Sequence, residues 1–474
     1  MSGVTDRLIR LEDAQRLLSR AECETIWQRI KSFAKGGGET RCVILGRWSG
    51  ELRWGRGRVS LASDRRVHYI MVFRSIDGRE GGVTTNQFDD ESLEAAVRTA
   101  ERMSGLFVPR DKGDFKTPRP GFEYPKTAAW NDTTYGLSTE TRALVAREVI
   151  EPAEAKEMLS AGYLEVRGEQ YGEYWPDGRV VFGTCTQAQC STTVRDATGT
   201  GSGWAGLSGT DWSAIDTKAL AARALQKAIA SRNPVSLEPG RYTVILEPQA
   251  VHDLISILIA SLQRRSPDLG FGPYTLGYDA ALGLFRTKLG LKVVDERITI
   301  EHDPSDPLLG VLPFDEQNYA VPYRPVKWID HGILTALADN RAYSLETRND
   351  NLPSAQSSSF RMSGGDTTME EMIKGTKRGL LVTRFSNMRL LDLNSLLSTG
   401  LTRDGLWLIE NGQISKAVKN FRFTESPLFV LNSLDQLGVP VPVYRPHEEI
   451  GVTPAIVPPI KARDFSFTST IDAI

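Results

Sequence analysis

RMSGGDTTMEEMIKGTKRGLLVTRFSNMRLLDLNSLLSTGLTRDGLWLIENGQISKAVKNFRFTESP, residues Arg361–Pro427, lays out one helix and three strands in a single run. Asp366-Thr367-Thr368, followed by Glu370 and Glu371, is a helix start, because short oxygen side chains satisfy free N–H groups and acids favour the positive helix end. Gly375 stops that helix. Leu380-Leu381-Val382-Thr383 and Leu406-Trp407-Leu408-Ile409 are strand-like apolar runs. The second enters the turn Glu410-Asn411-Gly412-Gln413, where Asn-Gly tolerates positive φ and marks a hairpin. A third strand is predicted over residues 414–423.

Four blocks of this run carry a resemblance. Gly375-Thr376-Lys377-Arg378-Gly379-Leu380-Leu381-Val382-Thr383, Thr399-Gly400-Leu401-Thr402-Arg403-Asp404-Gly405-Leu406, Ile409-Glu410-Asn411-Gly412-Gln413-Ile414 and Asn420-Phe421-Arg422-Phe423 stand in the order found in the TldD/PmbA family. The sequence resembles the C-terminal half of that family from about Pro239 onward, and the N-terminal half only in general layout. The resemblance implies a cytosolic metallopeptidase or its metal-free partner subunit, associated with trimming peptides and maturing peptide natural products.

Composition narrows the alternatives. A chain of 474 residues, 40% apolar and 24% charged, suits a globular protein of about two or three domains. Net charge is −2 with Lys and Arg scattered, which gives no basic footprint for nucleic acid. The N-terminal MSGVTDRLIRLEDAQRLL lacks a signal-peptide core, and the longest apolar stretch, residues 254–262, is too short to span a bilayer. A cytoplasmic protein with no membrane partner is expected. Cys23, Cys42, Cys185 and Cys190 are read as reduced structural thiols, since Cys185 and Cys190 point to opposite faces of one strand.

From the N-terminus, Ser19 opens a helix to Phe33, and strands are predicted at residues 40–45, 58–62 and 67–74 before a helix capped near Asp89. The order recurs: a helix from Ser138 to Val149, strands at 162–170, 179–182 and 190–196, a glycine-rich loop Gly199-Thr200-Gly201-Ser202-Gly203, and a helix from Asp216 to Ala230. The fold class is therefore α+β, with a weakly duplicated strand and helix unit in an N-terminal domain, residues 1–235, and a β-rich C-terminal domain, residues 236–474, containing a buried helix. The loop at 199–203 lacks the Lys-Ser/Thr of a phosphate loop and is read as a turn. Residues 107–132 form a proline-rich connector, and residues 348–365 a long polar loop.

After the strand Tyr242–Leu246 comes the most apolar helix, read as residues 249–264. The resemblance implies a His-Glu-x-x-x-His zinc motif on this helix in catalytic members, with a cysteine much later as a further ligand. Two imidazoles and a thiolate would hold the ion while the Glu takes a proton from its water. Here the ligand positions fall at Ser256 and Ser261, with Ile257 at the general base, and no cysteine follows Cys190. The five histidines, His68, His252, His302, His331 and His447, include no closely spaced pair. No cofactor is expected in this chain, and zinc is expected in a catalytic partner.

That partner is a TldD-like homologue bearing the zinc motif, in a heterodimer, or a second copy of this chain in a homodimer. Asp303, Asp315 and Glu316 are candidates for a cation or a peptide N-terminus, although carboxylates beside Pro or Gly commonly make turn hydrogen bonds. Arg403 and Asp404 are candidates for clamping a peptide, or form a plain ion pair. The leading reading is a non-catalytic subunit that helps process or degrade unfolded peptides. An independent hydrolase using Ser256, Ser261 or Cys185, with His252 as base, is the second. A self-associating scaffold, linked to the family's association with gyrase modulation, is the third.

Overall fold

The computed structural model describes residues 16–108, 123–315, 320–339, 343, 359–445 and 454–471. Most of the 107–132 connector and of the 348–365 loop, together with His447 and Glu316, lies outside these residues.

The first half contains two copies of one unit. Helix α1 (Arg20–Phe33), strands β1 (Glu39–Gly55), β2 (Arg58–Ile76) and β3 (Arg79–Thr85) and helix α2 (Asp90–Ser104) form the first. Helix α3 (Thr139–Glu154), strands β4 (Met158–Tyr174), β5 (Val180–Asp196) and β6 (Ser202–Gly209) and helix α4 (Thr217–Ala230) form the second. The strands make one six-stranded sheet in the order β3-β2-β1-β4-β5-β6, so the first strand of each copy meets the other antiparallel at the centre. The duplication read from helix and turn order is thus present in the topology. Ser19 caps α1 in a reciprocal capping box with Glu22, as its spacing predicts.

Each copy also packs its last helix onto its third strand through a glycine. A Cβ at Gly81 of β3 would lie 2.2 Å from Ala100 O and from Ser104 N of α2. At Gly203 of β6 it would lie 2.2 Å from Ala224 O and 2.4 Å from Ala228 N of α4. Only a residue without Cβ admits this approach.

Strand lengths correct the sequence reading. The runs at 58–62 and 67–74 are one strand, those at 179–182 and 190–196 are another, and β1 continues ten residues past Leu45. The loop read at 199–203 is a turn that leads at Ser202 into β6, whose sequence SGWAGLSG has too little apolar alternation to register as a strand. The cause of the breaks is shared. Even-numbered residues of β1 and β4, such as Ile44, Trp48, Leu52, Leu164 and Val166, pack into the cores beneath the helices, while the odd-numbered face is polar yet covered.

The second half is built on a barrel. Strands β7 (Gly240–Leu246), β14 (Arg378–Asp392), β15 (Leu397–Glu410), β17 (Phe421–Glu425) and β21 (Ile460–Thr470) close in the ring β14-β7-β21-β17-β15-β14. Strand β16 (Gln413–Ala417) extends β15, and β18 (Leu434–Leu437) pairs with β21. Asn411 and Gly412 take φ of 49° and 80° in the turn into β16, as Asn-Gly requires. The predicted third strand is split between β16 and β17, because Asp404 and Gly405 take φ of 55° and 132° and interrupt the β15 ladder. The helix α6 (Met369–Lys374) is capped by Thr368 and Glu371 and ends at Gly375.

A second sheet, from β10 (Ile300–His302), β11 (Val326–Asp330), β12 (Ile333–Leu334), β13 (Phe360–Met362), β19 (Val441–Pro442) and β20 (Ala455–Val457), runs β12-β11-β10-β13-β20-β19. Helix α5 (Pro248–Ala260) shares one apolar core with both: Leu254, Ile255 and Leu258 join Leu380, Phe423 and Phe465 of the barrel and Ile300, Ile329 and Phe360 of the sheet. The helix ends at Ala260, four residues before the predicted stop, where the Ser261 amide returns to Ile257 O and Leu258 O. The hairpin of β8 (Thr275–Asp279) and β9 (Leu284–Thr287) lies apart from these layers.

Candidate functional site

The face of the N-terminal sheet turned away from its helices carries an ionic network. Arg167, 4% exposed, reaches Glu165 at 3.2 Å and Glu169 at 3.3 Å. Gln189 donates to Glu165 at 2.7 Å, and Arg47 pairs with Glu169 at 2.5 Å. Farther along β4, Glu173 accepts from Tyr171 at 2.7 Å and pairs with Arg41 at 2.8 Å. Burial pushes the Glu173 carboxyl above its ordinary range against the pull of Arg41 and Tyr171. Burial also opposes the Arg167 charge, but Glu165 and Glu169 prevail and raise its pKa.

A groove bounded by Leu45, Arg47, Ser49, Glu51, Val67 and Leu312 runs over this network. None of these residues was singled out from the sequence. The signal was there as a period-two pattern, Tyr163, Glu165, Arg167, Glu169, Tyr171, Glu173, in the strand that was read to end at Gln170.

Of the residues singled out, Cys185 borders this network through Glu169, and the others lie elsewhere. Asp303 accepts from Ser305 N at 2.9 Å and Ser305 Oγ at 2.6 Å, a local turn. Asp315 stands in a short ladder opposite Val321. The acid that reaches across this region is Asp306, paired with Arg361 at 2.6 Å.

Asp404, 2% exposed, accepts from Arg384 Nε at 2.9 Å and from Ser202 Oγ at 2.6 Å, with Arg403 at 3.7 Å and Arg195 at 4.0 Å. Its carboxylate joins β6 of the N-terminal sheet to the barrel. Arg384 also lies over the Trp204 ring, 4.6 Å from its centroid. The geometry therefore gives Asp404 an ion-pair role, with Arg384 rather than Arg403 as principal partner.

His302 is buried against Ser359, whose Oγ lies 2.9 Å from Nδ1, and burial brings its pKa down to about 4. Burial lowers His68 to about 4 as well. Because the unfolded chain takes up these protons near pH 6.5 and the folded chain only near 4, their contribution to stability is complete above about 6.5 and is lost as pH falls toward 4. We expect denaturation midpoints to fall across that window. His302→Gln should remove up to roughly 3 kcal/mol of the stability lost across that window, read from urea titrations at stepped pH.

On α5, Ser256 Oγ donates to His252 O at 2.6 Å and lies 3.4 Å from His252 Nε2. The His252 ring stacks on Phe360. Ile257 packs against the apolar core, and Ser261 Oγ donates to Leu258 O at 2.7 Å. Cys185 is buried with its thiol 3.8 Å from Glu169 Oε2, and all four cysteines are free. Ser256 and Ser261 each spend their hydroxyl proton on a helix carbonyl, which leaves neither poised for attack.

Residues 239–469 match the sequence profile of the PmbA/TldA metallopeptidase C-terminal domain. Residues 239–469 therefore form a domain of the TldD/PmbA family. Solved structures agree in fold over nearly the whole chain. A Thermotoga maritima protein assigned as a modulator of a DNA gyrase superposes with a TM-score of 0.79 at 17% identity, covering 94% of this chain and 100% of that one. TldE from Thermococcus kodakarensis gives 0.78 at 19% identity, with 94% and 100% covered. A Bacteroides thetaiotaomicron protein assigned as a modulator of DNA gyrase gives 0.78 at 17%, with 96% and 100% covered. No curated protein matches the chain. At these identities the structures establish the α+β fold.

The metallopeptidase name of the TldD/PmbA domain raises the question of zinc. At the positions where the family resemblance places the ligands and base, this chain has two hydroxyls already bonded to backbone and an isoleucine in the core. That donor set does not fit the ion. Among the described residues, no helix is long and apolar enough to cross a membrane.

Proposed function

We propose that this chain is the non-catalytic subunit of a two-chain metallopeptidase that processes or degrades unfolded peptides in the cytoplasm. The observation that carries the reading is the hydroxyl, isoleucine and hydroxyl at Ser256, Ile257 and Ser261 within the domain that matches the family profile over residues 239–469. In this reading a TldD-like homologue with His-Glu-x-x-x-His supplies zinc and the water-activating base. This chain supplies walls that admit an extended peptide and exclude folded proteins. The likeness to TldE supports it.

The partner surface is assigned to the β8–β9 hairpin. Phe271, Tyr278 and Leu282 are 59%, 60% and 64% exposed, and Leu276 and Leu284 beside them are also exposed. Exposed apolar side chains gathered on one small hairpin suit an interaction site. Leu276→Asp with Leu284→Asp is expected to abolish co-purification of the homologue while leaving the circular dichroism spectrum unchanged. Retention of the homologue by the double variant would remove the hairpin from the interface. For the reading as a whole, the pure chain should not cleave unfolded peptides, and mixing with the homologue should give chelator-sensitive cleavage. Chelator-sensitive cleavage by the pure chain would overturn it.

A further inference from the structure

We propose that Arg195 and Arg403, where the N-terminal sheet meets the barrel, bind an oxyanion, the C-terminal carboxylate of a peptide. The choice of a peptide as its source rests on the function proposed above; the anion site stands on the geometry alone.

Three guanidinium groups share one carboxylate here. Asp404 accepts from Arg384 Nε at 2.9 Å and from Ser202 Oγ at 2.6 Å, whereas Arg403 Nε and Arg195 Nη2 stop at 3.7 Å and 4.0 Å. Arg384 and Arg403 also stand directly opposite each other across β14 and β15, a placement in which like charges repel. The neighbouring ion pairs, Lys227 with Glu247 and Arg232 with Asp196, balance within themselves. Three cations around one carboxylate therefore leave two positive charges without a counter-charge among the described residues. The missing group is an anion.

A second observation points to the same group. The guanidinium groups of Arg195 and Arg403 make no hydrogen bond among the described residues, and Arg195 Nε is buried without an acceptor. Thr383, 1% exposed and beside the Asp404-Gly405 bulge, likewise has a hydroxyl without a partner. A buried donor without an acceptor is costly and points to something that supplies one. Arg384 is already held by Asp404 and by the Trp204 ring it lies over. The side chains of Arg195 and Arg403 are 32% and 35% exposed while Asp404 is buried, so the face open to solvent is that of the arginines. Each presents a planar fork of N–H groups, which matches the paired oxygens of a carboxylate or a phosphate.

The test titrates the pure full-length chain with Ala-Leu-Ala, Ala-Leu-Ala amide and inorganic phosphate, read by calorimetry. The free-acid tripeptide is expected to bind, and amidation to weaken binding about 10-fold or more, as for loss of a charge-assisted hydrogen bond. Arg195→Gln and Arg403→Gln should each weaken it to a similar extent. Both variants should leave the thermal midpoint of the free protein equal or higher, since each removes a like charge and leaves Asp404 with Arg384 and Ser202; this separates loss of binding from loss of folding. Equal binding of the free and amidated tripeptides, or binding by both variants equal to wild type, overturns the site. Tighter binding of inorganic phosphate than of the tripeptide, weakened by the same two variants, overturns the peptide carboxylate and assigns the arginines to a phosphate group. None of these readings depends on a partner chain, so failure of the two-chain assignment would show separately.

Discussion

Asp404→Ala is expected to lower the unfolding free energy by about 2–3 kcal/mol, the loss of the charge-assisted hydrogen bonds that a buried carboxylate accepts. Asp404 is the acceptor shared by Arg384, Ser202 and the more distant Arg403 and Arg195. Its removal strands the Arg384 guanidinium beside Trp204. The backbone adds to the effect, because Asp404 sits at φ 55°, where Ala is strained and Asn is tolerated. Asp404→Asn should therefore lose less than Asp404→Ala, and Ser202→Ala only about 1 kcal/mol. Other ties between the halves remain, among them Lys227 with Glu247 at 2.6 Å, Ser208 Oγ with Val443 O at 3.2 Å, Trp204 against Tyr444 and Tyr171 against Phe314, so the Ala variant should still unfold in one transition in urea. A midpoint within experimental error of wild type would remove Asp404 from this role.

Gly203→Val is expected to destabilise by about 3 kcal/mol, the upper end of overpacking, because what it meets is backbone rather than a side chain that can swing away. Its Cβ would lie 2.2 Å from Ala224 O, and the whole of α4 would have to shift. Gly81→Val makes the same clash with α2 in the first copy, and the two variants should lose stability to a similar extent. Gly209→Ala is the control, with nothing within 4 Å of its Cβ, and should stay within about 0.5 kcal/mol of wild type. Differential scanning calorimetry on the three variants checks this. Tolerance of valine at Gly81 but not at Gly203 would show that the two copies do not share this packing device.

The same two features explain what could and could not be read from the residues. Helix starts were legible because their chemistry is local: Ser19 with Glu22 and Thr368 with Glu371 are both capping boxes. The Asn411-Gly412 hairpin was legible for the same reason. The four blocks after Gly375 carried the family. Strand extent was not legible, because Gly46, Gly50 and the charged residues of β1 and β4 break the apolar alternation that marks a strand. Those charges tolerate burial only because the fold brings Arg167, Glu165, Glu169 and Arg47 together from two strands, a fact absent from either segment alone. Likewise Arg403 beside Asp404 looked like the pair, whereas the barrel register brings Arg384 closer. The degenerate positions Ser256, Ile257 and Ser261 came from a resemblance in order and spacing, and the structure adds that both hydroxyls are already committed to backbone.

The most direct measurement is native mass spectrometry of the tagged chain isolated gently from its own cells, with metal analysis of every species recovered. A one-to-one complex with a homologue bearing His-Glu-x-x-x-His, carrying zinc that stays with the homologue when the two are separated, is the predicted result. Recovery of this chain alone, as a monomer or self-dimer that cleaves peptides and loses that activity to a chelator, would contradict the assignment.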